Sequence, residues 1–291
     1  MALLKRHHIS WAFIGIVTIL LLLIGLSIKF FAWGRPTNQI SDRSESIPTL
    51  YMHGYGAGAR SSNGMIAYAS NHQGAKKVLT ARIDSSGHVT LSGDWPKGTR
   101  HPLIQVLQMD NTYYNYHVTS KWFYNLIILL QRRYHIRRYN TVSHSMGNIT
   151  TMFYQVKYGH NIKLPKLNKQ VNLAGHFDGI IGIDDKVNRN YFLQDGKPRY
   201  INSYYKYLLH HRNGYPSGVK ILNIFGNLEN GSNSDGDVTN ISARSLKYLL
   251  RDKYMSYQEI EIKGKGGQHS QLHENSQVDR YIGHFLWGSN Q

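Results

Sequence analysis

The chain has 291 residues, of which 41% are hydrophobic and 18% are charged, and this balance excludes an intrinsically disordered protein. It contains no cysteine, which excludes disulfides, thiolate metal sites, a cysteine nucleophile and a lipidated N-terminal cysteine. The formal net charge of +17 favours anionic partners such as lipid head groups or an anionic cell-wall polymer, whereas the lack of zinc-finger spacing or an RNA-recognition motif predicts no nucleic-acid partner.

The first element in chain order is an uncharged run over residues 11–28, which Lys5 and Arg6 precede. Its 18 residues exceed the apolar core of most signal peptides, and no small-residue cleavage pattern follows. We therefore predict a signal anchor within residues 1–33, with a cleaved signal peptide as the alternative. The leading positive charge predicts that the remainder lies on the extracellular side of the cell membrane, or is secreted after cleavage, although Lys29 and Arg35 weigh against this orientation.

The polar residues 34–46 indicate a linker, so a globular domain is expected over residues 47–291. Strands are predicted at residues 48–53, 103–109, 139–143, 171–174, 219–225 and 257–262, and a hairpin joins residues 77–83 to 88–92. Helices are predicted at residues 118–134, 146–158, 242–251 and 277–287. This alternation predicts an α/β fold, in which a mostly parallel sheet has helices on both faces.

Residues 180–216 interrupt the alternation of strands and helices. The segment is rich in tyrosine, including Tyr191, Tyr200, Tyr204, Tyr205 and Tyr207. We predict that it forms a small inserted cap, whose aromatic side chains would suit an apolar acyl group.

The strongest chemical motif is Ser-His-Ser-Met-Gly at residues 143–147, between a predicted strand and a predicted helix. A nucleophile elbow needs small residues two positions before and after its serine, because the turn is strained and crowded. Gly147 meets the second requirement, and Ser143 replaces the glycine that usually meets the first. The motif therefore makes Ser145 the candidate nucleophile.

A glycine-rich loop, His-Gly-Tyr-Gly-Ala-Gly at residues 53–58, follows the first predicted strand of the sheet. Acyl transfer needs backbone N–H groups directed at the developing oxyanion. Met146, directly after the serine, and Tyr55, in this loop, occupy the expected donor positions. A dinucleotide-binding fingerprint is the competing interpretation, but Lys76 and Lys77 stand where that motif requires an acidic residue.

The candidate general base is His269, in a glycine-containing loop between the last predicted strand and the last predicted helix. It comes after the serine and the candidate acids, as the chain order of this class of enzyme requires. His273 lies four residues later and could join it in a metal site, but the intervening residues match no known zinc motif.

The candidate acid is Asp235, which lies in the Asx-rich loop after the strand predicted at residues 219–225. Asp237, in the same loop, and Asp178, one strand earlier, are alternatives. The loop fails the EF-hand register because Gly231 and Ser242 would fall at its first and twelfth positions, while a calcium loop of another kind stays open.

In combination, these segments resemble bacterial lipase-like α/β hydrolases, and especially a group of cell-surface hydrolases from Gram-positive bacteria. The resemblance covers roughly residues 48–287. It implies an α/β-hydrolase fold, Ser145 as nucleophile, Asp235 as acid, His269 as base, and Tyr55 with Met146 as oxyanion donors.

From this we expect a serine hydrolase that cleaves a carboxylic ester of a small molecule or a lipid and needs neither a cofactor nor a metal. Two alternatives stay open: an acyltransferase acting on a cell-surface acceptor, and a non-catalytic module that binds an anionic surface polymer.

Overall fold

A computed structural model of the chain describes residues 45–288. The predicted signal anchor at residues 1–33 and nearly all of the predicted linker at residues 34–46 lie outside the described residues. Between residues 45 and 288, no helix combines the length and the apolar character that crossing a bilayer requires.

The strands and helices alternate along most of the described chain. The strands are β1 (Thr49–Met52), β2 (Ala75–Ile83), β3 (Val89–Gly93), β4 (His101–Gln108), β5 (Arg138–His144), β6 (Lys166–Leu173), β7 (Val219–Asn227) and β8 (Tyr254–Lys263). The helices are α1 (Arg60–His72), α2 (Tyr116–Tyr134), α3 (Met146–Tyr158), α4 (Ser203–His211), α5 (Asn240–Arg244), α6 (Leu246–Leu249) and α7 (Ser276–Trp287).

The strands form one sheet in the order β3-β2-β4-β1-β5-β6-β7-β8. Only β3 is antiparallel to its neighbour, and it forms the predicted hairpin with β2. All other neighbouring strands are parallel. This arrangement confirms the predicted fold class.

Strand β1 shows how the sheet separates two hydrophobic cores. Leu50 and Met52 point to one face, where they join a core that includes α2, α3 and α4. Tyr51 points to the other face, towards α1 and α7. All three side chains are buried, as expected for a central strand covered on both sides.

Two helical regions differ from the prediction. Helix α1 has no counterpart among the predicted elements, because its sequence is rich in serine and asparagine and its buried apolar residues are only Met65, Ile66 and Ala69. The single helix predicted at residues 242–251 is instead two short helices, α5 and α6, which meet at Ser245. The Ser245 hydroxyl donates to the carbonyl of Ser242 at this junction.

The segment predicted as a cap, residues 180–216, contains two different structures. Its second half includes α4, whose Tyr205 and Leu208 are fully buried in the main core. The Tyr205 hydroxyl donates to the carbonyl of Ser245, so this tyrosine has a structural position. Residues 180–202 are loops and isolated bridges beyond the sheet, and a covering role for them remains a prediction.

Candidate active site

Ser145 lies between β5 and α3, at the edge of the sheet where the parallel strands end. Its backbone has φ 49° and ψ −120°, a conformation that residues with a side chain rarely adopt. The Ser145 N–H donates to the carbonyl of Leu173 across the neighbouring strand, with an N–O distance of 2.9 Å. This strained turn is the geometry of a nucleophile elbow.

The small residues around Ser145 are required by its close neighbours. A Cβ atom on Gly147 would lie 2.7 Å from the carbonyl oxygen of His53, so only glycine fits there. Ser143 is completely buried within β5 and fits where a glycine was expected. The Asn148 side chain donates to the carbonyls of Leu173 and Ser145, at 2.9 and 3.2 Å, and so fixes the start of α3.

The structure brings Ser145, His269 and Asp235 into one hydrogen-bonded row. The Ser145 Oγ lies 3.0 Å from His269 Nε2, and His269 Nδ1 lies 2.9 Å from Asp235 Oδ2. The imidazole Nδ1–H donates to the carboxylate, which leaves Nε2 as the acceptor of the serine hydroxyl. All three residues are buried. A base positioned in this way can remove the serine proton.

The backbone on both sides of the His269 ring is also held in place. The His269 N–H donates to the Asp235 carbonyl at 2.9 Å, and the ring of His144 donates from Nε2 to the His269 carbonyl at 3.0 Å. The second carboxylate oxygen of Asp235 accepts from the N–H groups of Asp237 and Val238 at 3.0 and 2.7 Å. The three groups therefore meet in a prearranged geometry.

The charge of Asp235 sets the titration of His269. Burial lowers the pKa of His269, but the hydrogen bond and charge of Asp235, with a smaller contribution from Asp237, outweigh burial and raise it above its usual value. By contrast, burial together with the nearby His269 and His273 holds the pKa of His144 well below its usual range. A neutral His144 that carries its proton on Nε2 can make this donation to the His269 carbonyl.

The other candidates from the sequence occupy different environments. The side chain of Asp237 is more than half exposed. Its Oδ2 lies 4.0 Å from Nε2 of His269, the nitrogen that faces Ser145, whereas Asp235 bonds to Nδ1. The carboxylate of Asp178 accepts from the Asn202 N–H at 2.8 Å and from Asn190 at 3.3 Å.

The ring of His273 packs edge-on against His144, with centroids 4.6 Å apart, and its Nδ1 lies 3.5 Å from Glu274. It makes no contact with the serine hydroxyl among the contacts described. Across residues 45–288, no group of three or more histidine, aspartate or glutamate side chains is arranged to hold a metal ion.

The glycine-rich loop runs directly beside Ser145. A Cβ atom on Gly54 would lie 2.9 Å from the Cβ of Ser145, so this close approach requires glycine. Tyr55 follows immediately, with a side chain that is 60% exposed. Met146 is the first residue of α3, and its N–H therefore has no acceptor within that helix. The two predicted oxyanion donors thus belong to the segments on either side of Ser145.

Gln108 and Asn111, which the sequence did not single out, hold the glycine-rich loop in place together with His53, the first residue of that loop. His53 donates from Nδ1 to the carbonyl of Gly54 at 2.8 Å and accepts at Nε2 from the N–H of Gln108 at 3.0 Å. Asn111 accepts from the Gly56 N–H through its backbone and donates to the Ala57 carbonyl through its side chain. Except for the bond between His53 and Gly54, these bonds join positions about fifty residues apart, so no local sequence pattern predicts them.

Aromatic residues lead from the neighbourhood of His269 towards the surface. His176, after β6, is buried, and burial together with the charge of His269 lowers its pKa to about 3. The ring of Tyr116 lies 6.3 Å from that of His176 and 4.8 Å from that of the half-buried Tyr204. Tyr114 is 64% exposed at the outer end.

The eight-stranded sheet and the elbow at the end of β5 define an α/β hydrolase. The chain belongs to a family described as α/β hydrolases of unknown function (DUF915), whose profile matches residues 36–289. This confirms the resemblance drawn from the sequence.

Two solved structures share the fold. One is the lin2722 gene product of Listeria innocua, with 23% identity, a TM-score of 0.77, and coverage of 84% of this chain and 96% of that chain. The other is a candidate cell-surface hydrolase from Lactobacillus plantarum, with 20% identity, a TM-score of 0.70, and coverage of 85% and 94%. No curated protein matches the chain.

Proposed function

We propose that this protein is an extracytoplasmic serine hydrolase that cleaves a carboxylic ester through an acyl-enzyme intermediate. The observation that carries the proposal is the row from Ser145 Oγ to His269 Nε2 at 3.0 Å and from His269 Nδ1 to Asp235 Oδ2 at 2.9 Å. The strained backbone at Ser145 supports it, because strain of this kind is concentrated at functional sites.

In the proposed reaction, the Ser145 oxygen attacks the ester carbonyl carbon while His269 Nε2 takes the hydroxyl proton. Asp235 stabilises the imidazolium that forms, and the N–H groups of Tyr55 and Met146 stabilise the oxyanion. The tetrahedral intermediate collapses, the C–O bond to the alcohol breaks, and His269 returns the proton to the leaving oxygen. Water, activated by the same imidazole, then hydrolyses the acyl-enzyme and restores the serine.

An ester with an apolar or aromatic acyl group is the proposed substrate class. The aromatic side chains of Tyr116, Tyr204 and Tyr114 continue outward from His176, which lies beside the base. Their rings offer apolar contact, and the exposure of the side chains increases from the buried Tyr116 through the half-buried Tyr204 to the exposed Tyr114. The position of Tyr205 in the core argues against its direct contact with substrate.

Two observations support a location outside the cytoplasm. The uncharged run over residues 11–28 has the length of a signal anchor. In addition, the similar protein from Lactobacillus plantarum is described as a candidate cell-surface hydrolase.

Labelling with a fluorophosphonate, combined with turnover of aryl esters of increasing chain length, tests the mechanism. The full chain should be labelled and active, whereas Ser145→Ala should lose labelling and roughly 10⁴-fold or more in kcat. Matched circular dichroism spectra would show that the alanine variant is folded. Labelling or turnover that survives the substitution would mean that another residue is the nucleophile.

The two partners of the serine are tested with conservative and matched variants. His269→Ala and Asp235→Asn should each lower kcat at least about a hundredfold, because the asparagine keeps the shape but removes the charge that stabilises the imidazolium. Asp237→Asn and His273→Ala are the controls and should cost less than about tenfold. A larger loss from either control than from its counterpart would reassign the acid or the base.

A further inference from the structure

The edge of the sheet opposite Ser145 carries a continuous series of positive charges. Because the strands other than β3 are parallel, their amino ends share one edge, and the helix ends and loops that lead into them lie there too. From β4 to β7 the exposed cations at this edge are Arg100, Arg137, Arg138, Lys163, Lys166 and Lys220, which we call the basic edge. The acidic residues on the same connections are Glu45, Asp94 and Asp252.

The edge that carries Ser145 has a mixed charge. Its loops present exposed carboxylates, namely Asp84, Asp184, Glu229, Asp237 and Glu274, and also exposed cations, namely Arg60, Lys186, Arg189, Arg199, Lys263 and Lys265. Positive charge therefore predominates at the basic edge and not at the edge that carries Ser145, so an anionic surface would attract the basic edge more strongly.

The cations of the basic edge lack internal counter-charges. Among residues 45–288, the ion pairs made by lysine or arginine are Arg244–Glu259 and Lys263–Glu229, neither of them at this edge. Arg138 pairs directly with Lys166 in the register of β5 and β6, so two cations stand side by side on neighbouring strands. Like charges in that position repel each other unless an anion lies between them.

Only some of the arginines at the basic edge are accounted for by the negative end of a helix dipole. Helix α2 ends at this edge, and its last turn contains Arg132 and Arg133, which suit a helix C-terminus. That terminus carries the equivalent of roughly half a negative charge, and its effect fades within one turn. Arg137 and Arg138 lie beyond the helix and are in excess of what it requires.

An exposed apolar side chain lies within the basic edge. Ile162, in the turn between α3 and β6, is 84% exposed and directly precedes Lys163. A bulky apolar residue next to exposed lysines, here Lys163 and Lys166, is a composition by which proteins bind the surface of an anionic bilayer, where the cations meet phosphate and the apolar group enters the interface.

We propose that the basic edge docks on an anionic phospholipid membrane, with the active site facing away from the bilayer. The chain also enters the domain at this edge, where the Pro48 carbonyl accepts from the N–H of Asn140 at the start of β5. The uncharged run at residues 11–28 ends 20 positions before Pro48. The seven residues of β5 place Ser145 roughly 23 Å from the basic edge. Provided that the proposed function holds, the ester therefore reaches Ser145 from the aqueous side and not from the bilayer beneath.

Energy transfer between a single dye and labelled head groups tests this orientation in the full chain. Since the protein has no cysteine, Ser217→Cys at the basic edge and Ser85→Cys at the opposite edge each give one labelling site. The chain is reconstituted into vesicles of phosphatidylcholine, with or without phosphatidylglycerol. Transfer should be strong from Ser217→Cys, weak from Ser85→Cys, dependent on phosphatidylglycerol, and lost at high salt because the contact is electrostatic.

A fourfold variant, in which Arg137, Arg138, Lys163 and Lys166 become glutamine, should weaken docking by more than about a hundredfold, at roughly fivefold for each cation. These positions are exposed and remote from Ser145, so turnover of a soluble ester should be unchanged.

The matched control neutralises Lys186, Arg189, Lys197 and Arg199 in the loops near the active site and should leave docking intact. The proposal is refuted by transfer that is equal with and without phosphatidylglycerol, by equal effects of the two fourfold variants, or by stronger transfer from the opposite edge. Docking to a soluble anionic polymer but not to these vesicles would refute it as well. Fluorophosphonate labelling of Ser145 in the same samples reports on the proposed function separately, so the two can fail independently.

Discussion

The backbone at Ser145 allows a test of the elbow that does not depend on catalysis. At φ 49° and ψ −120°, any side chain with a Cβ atom is strained, whereas glycine adopts positive φ freely. Ser145→Ala and Ser145→Gly both remove the hydroxyl and its bond to His269. They differ only in the Cβ atom, so their difference in stability measures the strain.

The expected difference follows from two opposing terms. Strain at such a residue costs about 1–3 kcal/mol, and glycine relieves it. The greater freedom of glycine in the unfolded chain offsets about 0.4–1 kcal/mol of that gain. We therefore expect the glycine variant to be about 1–2 kcal/mol more stable than the alanine variant. For a domain of this size, that corresponds to a Tm higher by about 2–8 °C.

Denaturant unfolding of both variants, followed by tryptophan fluorescence and checked by thermal melting, measures this difference. Ser70 in α1 is the control, because it is exposed in a regular helix, where glycine is less stable than alanine by about 1 kcal/mol. The signs at the two positions should be opposite. A glycine variant at residue 145 that is as stable as the alanine variant or less stable would refute strain at the elbow, and with it the argument from backbone geometry.

Two further predictions concern titration. Asp235 raises the pKa of His269, and the remaining activity of Asp235→Asn needs the neutral imidazole, so the acidic limb of the kcat/KM profile against pH should move to lower pH in this variant. The limb should move less in Asp237→Asn. An acidic limb that does not move in Asp235→Asn would show that Asp235 does not raise the pKa of His269. Burial raises the pKa of Asp178 to about 7, well above its unfolded value, so the folded state binds the extra proton and stability should fall as pH rises from about 4 to 7. Asp178→Asn should reduce that fall by about 1–3 kcal/mol in denaturant titrations at several pH values, whereas the exposed control Asp94→Asn should leave it unchanged.

The strands of the sheet and the chain order of the candidate site residues could be predicted from the sequence, because both depend on local patterns. Short apolar runs next to glycines mark strands buried on two faces, and small residues around a serine mark a turn with little room. The strand predicted at residues 171–174 nevertheless begins five residues earlier, at Lys166. Its polar first half pairs with β5, and that pairing is invisible in the sequence.

What the sequence could not supply are the bonds between distant segments that make the geometry rigid. No role for His144, which directly precedes Ser145, was predicted from the sequence, yet its ring donates to the carbonyl of His269. Asn148 holds the start of α3 through the carbonyl of Leu173, and His53 holds the glycine-rich loop through the N–H of Gln108. Both partners are too distant in the sequence to be found from local patterns. Each bond depends on the register of β1, β5, β6 and β4, which becomes defined only when the whole sheet forms.

A net charge of +17 on the chain would be expected to depress the pKa of His269, and the arrangement of the strands explains why this pKa is instead raised. The basic edge lies roughly 23 Å from Ser145, which is more than two Debye lengths at physiological ionic strength. Water and salt screen the exposed cations over that distance. The buried carboxylate of Asp235, 2.9 Å from Nδ1, is screened far less and determines the titration of His269. A parallel sheet can therefore carry an anion-binding surface at one edge and a histidine with a raised pKa at the other, and raising the ionic strength should release the first while leaving the second unchanged.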